Sequence, residues 1–231
     1  MVSLDLLANN LANAGTNGYK SDREYYGLYA SEDSQNSVDG GQGTTLPVVE
    51  KQWTDFSAGM MQPTGNPLDV ALAGKGFFVV KGPSGPLYTR NGSLRILPSG
   101  EIGTSEGYPM RTPGGGTIQV VPGKAITIST DGVVTQEGQR IGQLETVDFK
   151  TTDSLHKVGS TSFDNSGTNV QPVPAPNVEV LQGKIEGSNV PVADAAMRLV
   201  GVMRQFEMLQ KAIGVSSEMD TKSIQEVARV A

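Results

Sequence analysis

The sequence predicts a mainly β fold with terminal α-helices, a β-rich domain inserted between N- and C-terminal helices that pair as a coiled-coil-like stalk. Three observations point there. From about Gly65 to Val180 apolar residues recur with period 2 and turn residues punctuate them, which is how hairpin-rich β structure reads. Near the C-terminus, Val192, Ala196, Leu199, Met203, Phe206, Gln210 and Ile213 alternate spacings of four and three, an a/d seam with one polar interruption at Gln210. Glycine accounts for 29 of 231 residues, well above the usual ~7%, so the chain is rich in turns.

The elements follow in chain order. Leu4, Leu7, Leu11 and Ala14 lie on one face of a first helix, with Ser3 as its N-cap and Gly15 just past its end. Residues 31–45 are rich in Ser, Gly, Asp and Gln and are expected to form a flexible loop. Strands are expected at 68–72, 76–81, 87–90, 118–121, 125–129, 132–136 and 142–149. Asn91-Gly92 and Asp131-Gly132 are read as turns. Residues 159–177 turn polar and then Pro-rich, and are expected to be an extended connector. Ser188-Asn189 with Pro191 starts the second helix, which should run from about Val190 into the 220s with Gly214 as its weak point. The division expected is 1–62 for the N-terminal helix and extended loop of a terminal domain, 63–177 for the β-rich middle domain, and 178–231 for the C-terminal helix.

Composition narrows the function. A formal net charge of -6 argues against a nucleic-acid partner, which needs a basic face. There are no cysteines, so disulfides, thiolate nucleophiles and Cys-ligated zinc are excluded. The longest apolar run, around Phe77–Val80, is far short of the ~18 residues of a membrane span, and direct membrane insertion is not expected. Asp5, Asn9 and Asn10 interrupt the only N-terminal candidate for a cleaved signal.

Candidate chemistry is sparse. The single histidine, His156, sits in a polar stretch with no motif around it and is expected on a surface loop. Asp148 and Asp153 lack EF-hand spacing, and Gly74-Lys75-Gly76 is too short for a phosphate-binding loop. Asp69, Glu101, Glu106 and Asp131 could pair as a glycosidase needs, although turn chemistry accounts for several of them more cheaply. No catalytic residue, cofactor or metal is expected. Residues 9–18 hold four asparagines, an unusual density in a helix that fits either a frayed end or an amide-rich recognition surface.

Several blocks, in order, resemble the flagellar basal-body rod and hook axial proteins. Leu6-Leu7-Ala8-Asn9-Asn10-Leu11-Ala12-Asn13 followed by Thr16-Asn17-Gly18-Tyr19-Lys20 is similar to the N-terminal signature of that family. Gly65-Asn66-Pro67-Leu68-Asp69-Val70-Ala71-Leu72, Gly76-Phe77-Phe78-Val79-Val80, Tyr88-Thr89-Arg90-Asn91-Gly92-Ser93-Leu94 and Gly107-Tyr108-Pro109 resemble its middle. Gly187-Ser188-Asn189-Val190 and Arg204-Gln205-Phe206-Glu207 resemble its C-terminal block. The resemblance covers most of the chain outside 31–50 and 150–177, and its wording is nearer the proximal rod branch than the distal rod and hook proteins.

The resemblance implies a structural subunit that packs in a helical array within the periplasm and transmits torque. Its partners would be itself, other rod and hook axial proteins, and the flagellar type III export apparatus, with no cleaved signal peptide. The residues expected to carry assembly are Leu4, Leu7, Leu11, Val192, Ala196, Leu199, Met203, Phe206 and Ile213, with Asn9, Asn10 and Asn13 as polar register contacts. Family members carry more helix before the Leu-Ala-Asn-Asn block. The expectation is therefore that the native helix continues upstream of Met1, or that a neighbouring subunit covers the seam. The alternative reading is an exported β-domain hydrolase or adhesin with a helical stalk.

Overall fold

The computed structural model describes residues 2–30, 45–165, 170–175 and 178–230. The expected flexible loop falls outside the described residues up to position 44. The chain is mainly β, with a short N-terminal helix and a long C-terminal one, and it divides into two units. Met1–Ala12 and Pro191–Ala231 form a terminal unit, and Asn13–Val190 form a β unit.

In the terminal unit, helix α1 (Val2–Ala12) lies against helix α2 (Val192–Val230). The first helical hydrogen bond of α2 runs from the Ala195 N–H to the Pro191 carbonyl (2.9 Å), so the proline sits where its missing N–H costs nothing. Gly214, expected to weaken the helix, lies within it and does not end it. An Arg198–Asp194 pair at 2.9 Å spans one turn of its surface.

The β unit begins with a ribbon, β1 (Asp22–Ala30) against β2 (Thr45–Thr54), in antiparallel register with a bulge between Tyr25 and Tyr26. Next come β3 (Met61–Pro63), β4 (Val70–Ala73), β5 (Phe77–Lys81), β6 (Pro86–Thr89), β7 (Leu94–Ile96) and β8 (Ile102–Thr104). They are followed by β9 (Ile126–Ile128), β10 (Val133–Gln136), β11 (Gln139–Gln143), β12 (Thr146–Asp148), β13 (His156–Val158) and β14 (Ser162–Asp164). The last are β15 (Val173–Pro174), β16 (Glu179–Gln182) and β17 (Lys184–Glu186). Six strands join in the order β13-β14-β6-β5-β12-β15, three as β11-β10-β9, and the remainder as pairs β16-β4, β17-β3 and β7-β8.

Strand β5 explains the core. Phe78 and Val80 face one apolar cluster with Val70, Leu72, Ile102, Met110, Ile118 and Val134. Phe77 and Val79 face a second with Tyr88, Val147, Phe149, Leu155 and Phe163. Both faces are buried, so the strand reads as a continuous apolar run without alternation. The second cluster is aromatic. Phe56 and Phe77 meet edge to face at 5.5 Å, and Tyr88 and Phe149 at 4.8 Å.

Three expectations need correction. Residues 118–121 form no named strand. Ile118 and Val120 are buried, but the backbone there forms an isolated bridge, Glu101–Gln119. The expected strand 142–149 is two, because β11 and β12 belong to different sheets and the chain turns between them. The expected connector 159–177 holds β14, which pairs with β6, and β15, which pairs with β12. Ser162 and Phe163 are buried there, so this polar-looking stretch supplies an inner strand, β14, and an edge strand, β15, of the main sheet.

Candidate functional site: the terminal helices and the chain junction

The apolar face of α2 has a different phase from the expected seam. Val192, taken as its first residue, is 53% exposed, whereas Ala195 is 6% exposed. The better line is Ala195, Leu199, Val202, Phe206, Leu209 and Ile213, spaced four and three with no polar interruption. Its first three members are buried or half-buried, and the rest are exposed, reaching 70% at Ile213. Length accounts for the change. The 11 residues of α1 reach ~16 Å and the 39 of α2 ~58 Å, so α1 covers only the first turns. Met197, Met208, Val215 and Met219 are also exposed and fall on the opposite side of the helix, at about 100° per residue. From Met203 onward every apolar side chain described on α2 is exposed.

The other expected assembly residues are scattered in exposure. Leu4, Leu7, Leu11, Ala196 and Leu199 are half-buried, Asn9 is exposed, and Asn10 is buried. Met203 and Phe206 are about half exposed. Asn13 belongs to the β unit and serves a local turn. Its carbonyl accepts from the Thr16 N–H (3.0 Å), and its Oδ1 accepts from the Thr16 hydroxyl (3.3 Å).

At the junction where the chain enters and leaves the β unit, one carboxylate organises four segments. Glu186, at the end of β17, is fully buried. Its Oε1 accepts from Lys20 Nζ (2.5 Å) and the Gly59 N–H (2.9 Å), and its Oε2 accepts from Arg90 Nη1 (3.1 Å). Lys20 Nζ also donates to the Ser57 carbonyl (2.7 Å). Arg90 Nη2 donates to the Gly74 carbonyl (2.7 Å), and its guanidinium lies 5.6 Å from the centre of the Phe77 ring. Burial pulls the Lys20 ammonium below its ordinary range, and Glu186 works against that pull. Two buried cations around one buried anion are tolerable because each donates to a carboxylate or carbonyl.

Asn189 completes the junction. Its Oδ1 accepts from the Ser21 N–H (2.8 Å), and its Nδ2 donates to the Asp55 carbonyl (2.7 Å) and the Ser57 hydroxyl (3.1 Å). The Gly18 N–H donates to the Glu186 carbonyl (2.7 Å), and the Gly187 N–H to that of Met60 (2.9 Å). A Cβ at Gly59 would fall on the Gly187 carbonyl oxygen, so only glycine lets these segments approach. Lys157 Nζ donates to the Lys20 carbonyl (2.8 Å) and to Asp22 Oδ2 (2.7 Å), 4.3 Å from the centre of the Tyr19 ring. Burial, with Asp22 nearby, pushes the Tyr19 phenol up to about 12.

None of these partners was singled out from the sequence as a site. The only signal was that Tyr19-Lys20, Tyr88 to Leu94 and Gly187 to Val190 stand in three blocks of the family resemblance. The structure brings residues of all three blocks together around Glu186.

Asp55 supplies a pH test. Burial pushes its carboxyl up, but the Ser57 amide and hydroxyl and the Arg23 guanidinium outweigh this and hold it below the ordinary range. Such a group stabilises the fold above its unfolded value, and that contribution is lost as pH falls through the depressed folded value. Asp55→Asn should therefore melt below the parent at pH 7, and the gap should close as pH falls below about 4. Thermal melts across pH check this, and a gap independent of pH would contradict it.

Two of the four carboxylates considered for catalysis, Glu101 and Glu106, are engaged by hydroxyl donors. Glu101 accepts from the hydroxyls of Thr117 (2.5 Å) and Ser99 (2.7 Å), and Glu106 from those of Thr161 (2.8 Å) and Ser162 (3.1 Å). His156 is exposed, as expected, but lies on edge strand β13 and not on a loop. Among the described residues no group of acidic or histidine side chains is arranged to hold a metal ion, and no helix is long and apolar enough to cross a membrane.

Residues 71–136 match the family model for the flagellar hook protein FlgE/F/G D1 domain, and residues 181–226 match that for the flagellar basal body rod FlgEFG protein C-terminal region. The chain is 31% identical over 245 residues to the flagellar basal-body rod protein FlgG of Buchnera aphidicola subsp. Schizaphis graminum, covering 94% of this chain and 91% of that one. It is 29% identical over 228 residues to the flagellar basal-body rod protein FlgF of Caulobacter vibrioides, covering 98% and 92%. The FlgG of Bacillus subtilis is 30% identical over 240 residues, covering 94% and 90%.

Proposed function

This chain belongs to the flagellar basal-body rod protein family and is a structural subunit of the rod, and on that premise we propose that its terminal unit is the part that polymerises. The family is one of structural proteins of the flagellar basal body, assembled with other rod and hook axial proteins.

The observation that carries the proposal is the exposure of α2. From Met203 onward its described apolar residues are exposed, on two opposite sides. A helix apolar on opposite sides is stable in water only when enclosed, and α1 is too short to enclose it. Terminal helices of neighbouring subunits would supply the missing surface as a coiled-coil-like stalk. The assembly residues would be Leu4, Leu7, Leu11, Ala196, Leu199, Met203, Phe206 and Ile213, with Val202 and Leu209 added, and with Val192, Asn9, Asn10 and Asn13 at its margin. Such contacts join unlike patches and do not close, so they build a helical array, and torque passes along it.

The finer placement is part of the same proposal. The subunit sits in the proximal rod, in the periplasm, and reaches it through the flagellar type III export apparatus without a cleaved signal peptide. The match over 98% of the chain to an FlgF protein supports the proximal branch. The hydrolase or adhesin alternative gains nothing from Glu101 and Glu106, whose oxygens are occupied by hydroxyl donors.

The test is composition. Basal bodies purified without filament and hook should contain this chain as an integral axial component that survives the washes removing peripheral proteins. Its recovery only in the soluble fraction of motile cells would overturn the reading.

A further inference from the structure

We propose that Glu186, Lys20 and Arg90 form a latch that fastens the incoming and outgoing chain ends to the β unit and opens separately from the β core. The strand pairing at this point is too small to hold by itself. β3 and β17 pair over three residues, Lys184 with Pro63 through Glu186 with Met61, and such a short two-stranded pair is marginal in water. The carboxylate adds buried ionic contacts to the backbone and Asn189 bonds that join the ends. Glu186 binds Lys20 from the incoming segment, the Gly59 amide from the segment leading into β3, and Arg90 from just beyond β6.

The three charges are buried together, so removing Glu186 leaves two cations without their carboxylate away from water. The aromatic and aliphatic clusters that stabilise the central sheets contain none of these three residues. Arg90 makes the connection to the core. It is anchored on the carbonyls of Leu72 and Gly74, so the latch closes onto a fixed point. A unit built this way has two levels of stability, a core and a fastening, as cooperative subunits of one fold often do.

The mechanical consequence rests on the rod reading. Force entering through α1 and leaving through α2 must cross the segments 13–20 and 186–190, and the latch ties these to each other and to the sheet. The latch would then set the load at which a subunit's ends peel from its β unit.

Hydrogen exchange on the full-length isolated protein tests the latch. In Glu186→Gln, exchange at the amides of Gly18, Ser21, Gly59, Gly187 and Asn189 should rise by a hundredfold or more. Exchange at Val79, Met110 and Leu144, in the buried core, should stay within about twofold of the parent. Lys20→Met leaves Glu186 paired to Arg90 and should raise the same five amides by a smaller factor. Equal loss of protection at the central amides in both variants would show a global stabilising cluster and overturn the latch, as would unchanged exchange at the five. Because this is read on isolated protein, its failure leaves the rod assignment standing, and absence from basal bodies would leave the latch standing.

Discussion

Leu209→Asp is expected to abolish incorporation into the basal body, and with it motility, while the β unit melts within about 2 °C of the parent. Leu209 is 63% exposed in the single chain, so a carboxylate there stays hydrated and costs the free subunit little. In an assembled array the same position lies on the uninterrupted line through Val202, Phe206 and Ile213, where a neighbouring helix would strip water from the charge. Desolvating an unpaired carboxylate costs several kcal/mol, and 1.4 kcal/mol is already tenfold in affinity at each contact. Glu207→Gln, two positions away and off both apolar lines, should assemble normally. Immunoblots of purified basal bodies and swimming assays read the result. Full swimming by Leu209→Asp would remove this line from the mechanism.

Gly92→Ala should be the most damaging single methyl group in the β unit. A Cβ there falls on the Val70 carbonyl oxygen, and the Val70 N–H donates to the Gly92 carbonyl at 2.9 Å. The two backbones cannot separate without breaking the bridge that carries β4 into the first core cluster. Overpacking of a fixed backbone costs about 3 kcal/mol or more, which for a unit of this size lowers Tm by roughly 10 °C. Gly114→Ala is the control. Its Cβ would meet nothing within 4 Å, so the change should be neutral. A melt of Gly92→Ala indistinguishable from the control would show that the backbone yields there.

Asn91-Gly92 also shows how much the sequence revealed. The pair reads as a turn, and an Asx-type turn is present, with Asn91 Oδ1 accepting from the Ser93 N–H (3.1 Å). The need for glycine, however, comes from a strand more than twenty positions away. The terminal helices, β4 to β6 and the Asp131-Gly132 turn were legible because their signals are local periodicity and turn chemistry. The β1–β2 ribbon was not, since its strands stand far apart in sequence and their residues do not alternate cleanly.

The residue buried at the start of α2 is not legible in the sequence, for a physical reason. Ala195 adds little apolar weight to a pattern, whereas Val192 adds more, yet the small side chain is the one that is buried. The Glu186 cluster left no pattern at all. Its Lys20 contact spans 166 positions, and a lone Lys, Arg or Glu in a sequence looks like any solvated charge. Only the fold makes such residues partners.

The central claim, that neighbouring subunits enclose α2, is open to one direct measurement. The chain has no cysteine, so Leu209→Cys carries a single thiol. In the isolated protein that thiol should react with a water-soluble maleimide within minutes. In intact purified basal bodies it should be protected at least a hundredfold, and protection should vanish when the rod is dissociated. Labelling at the same rate in both states would show that α2 stays open to water in the assembly, and would contradict the account.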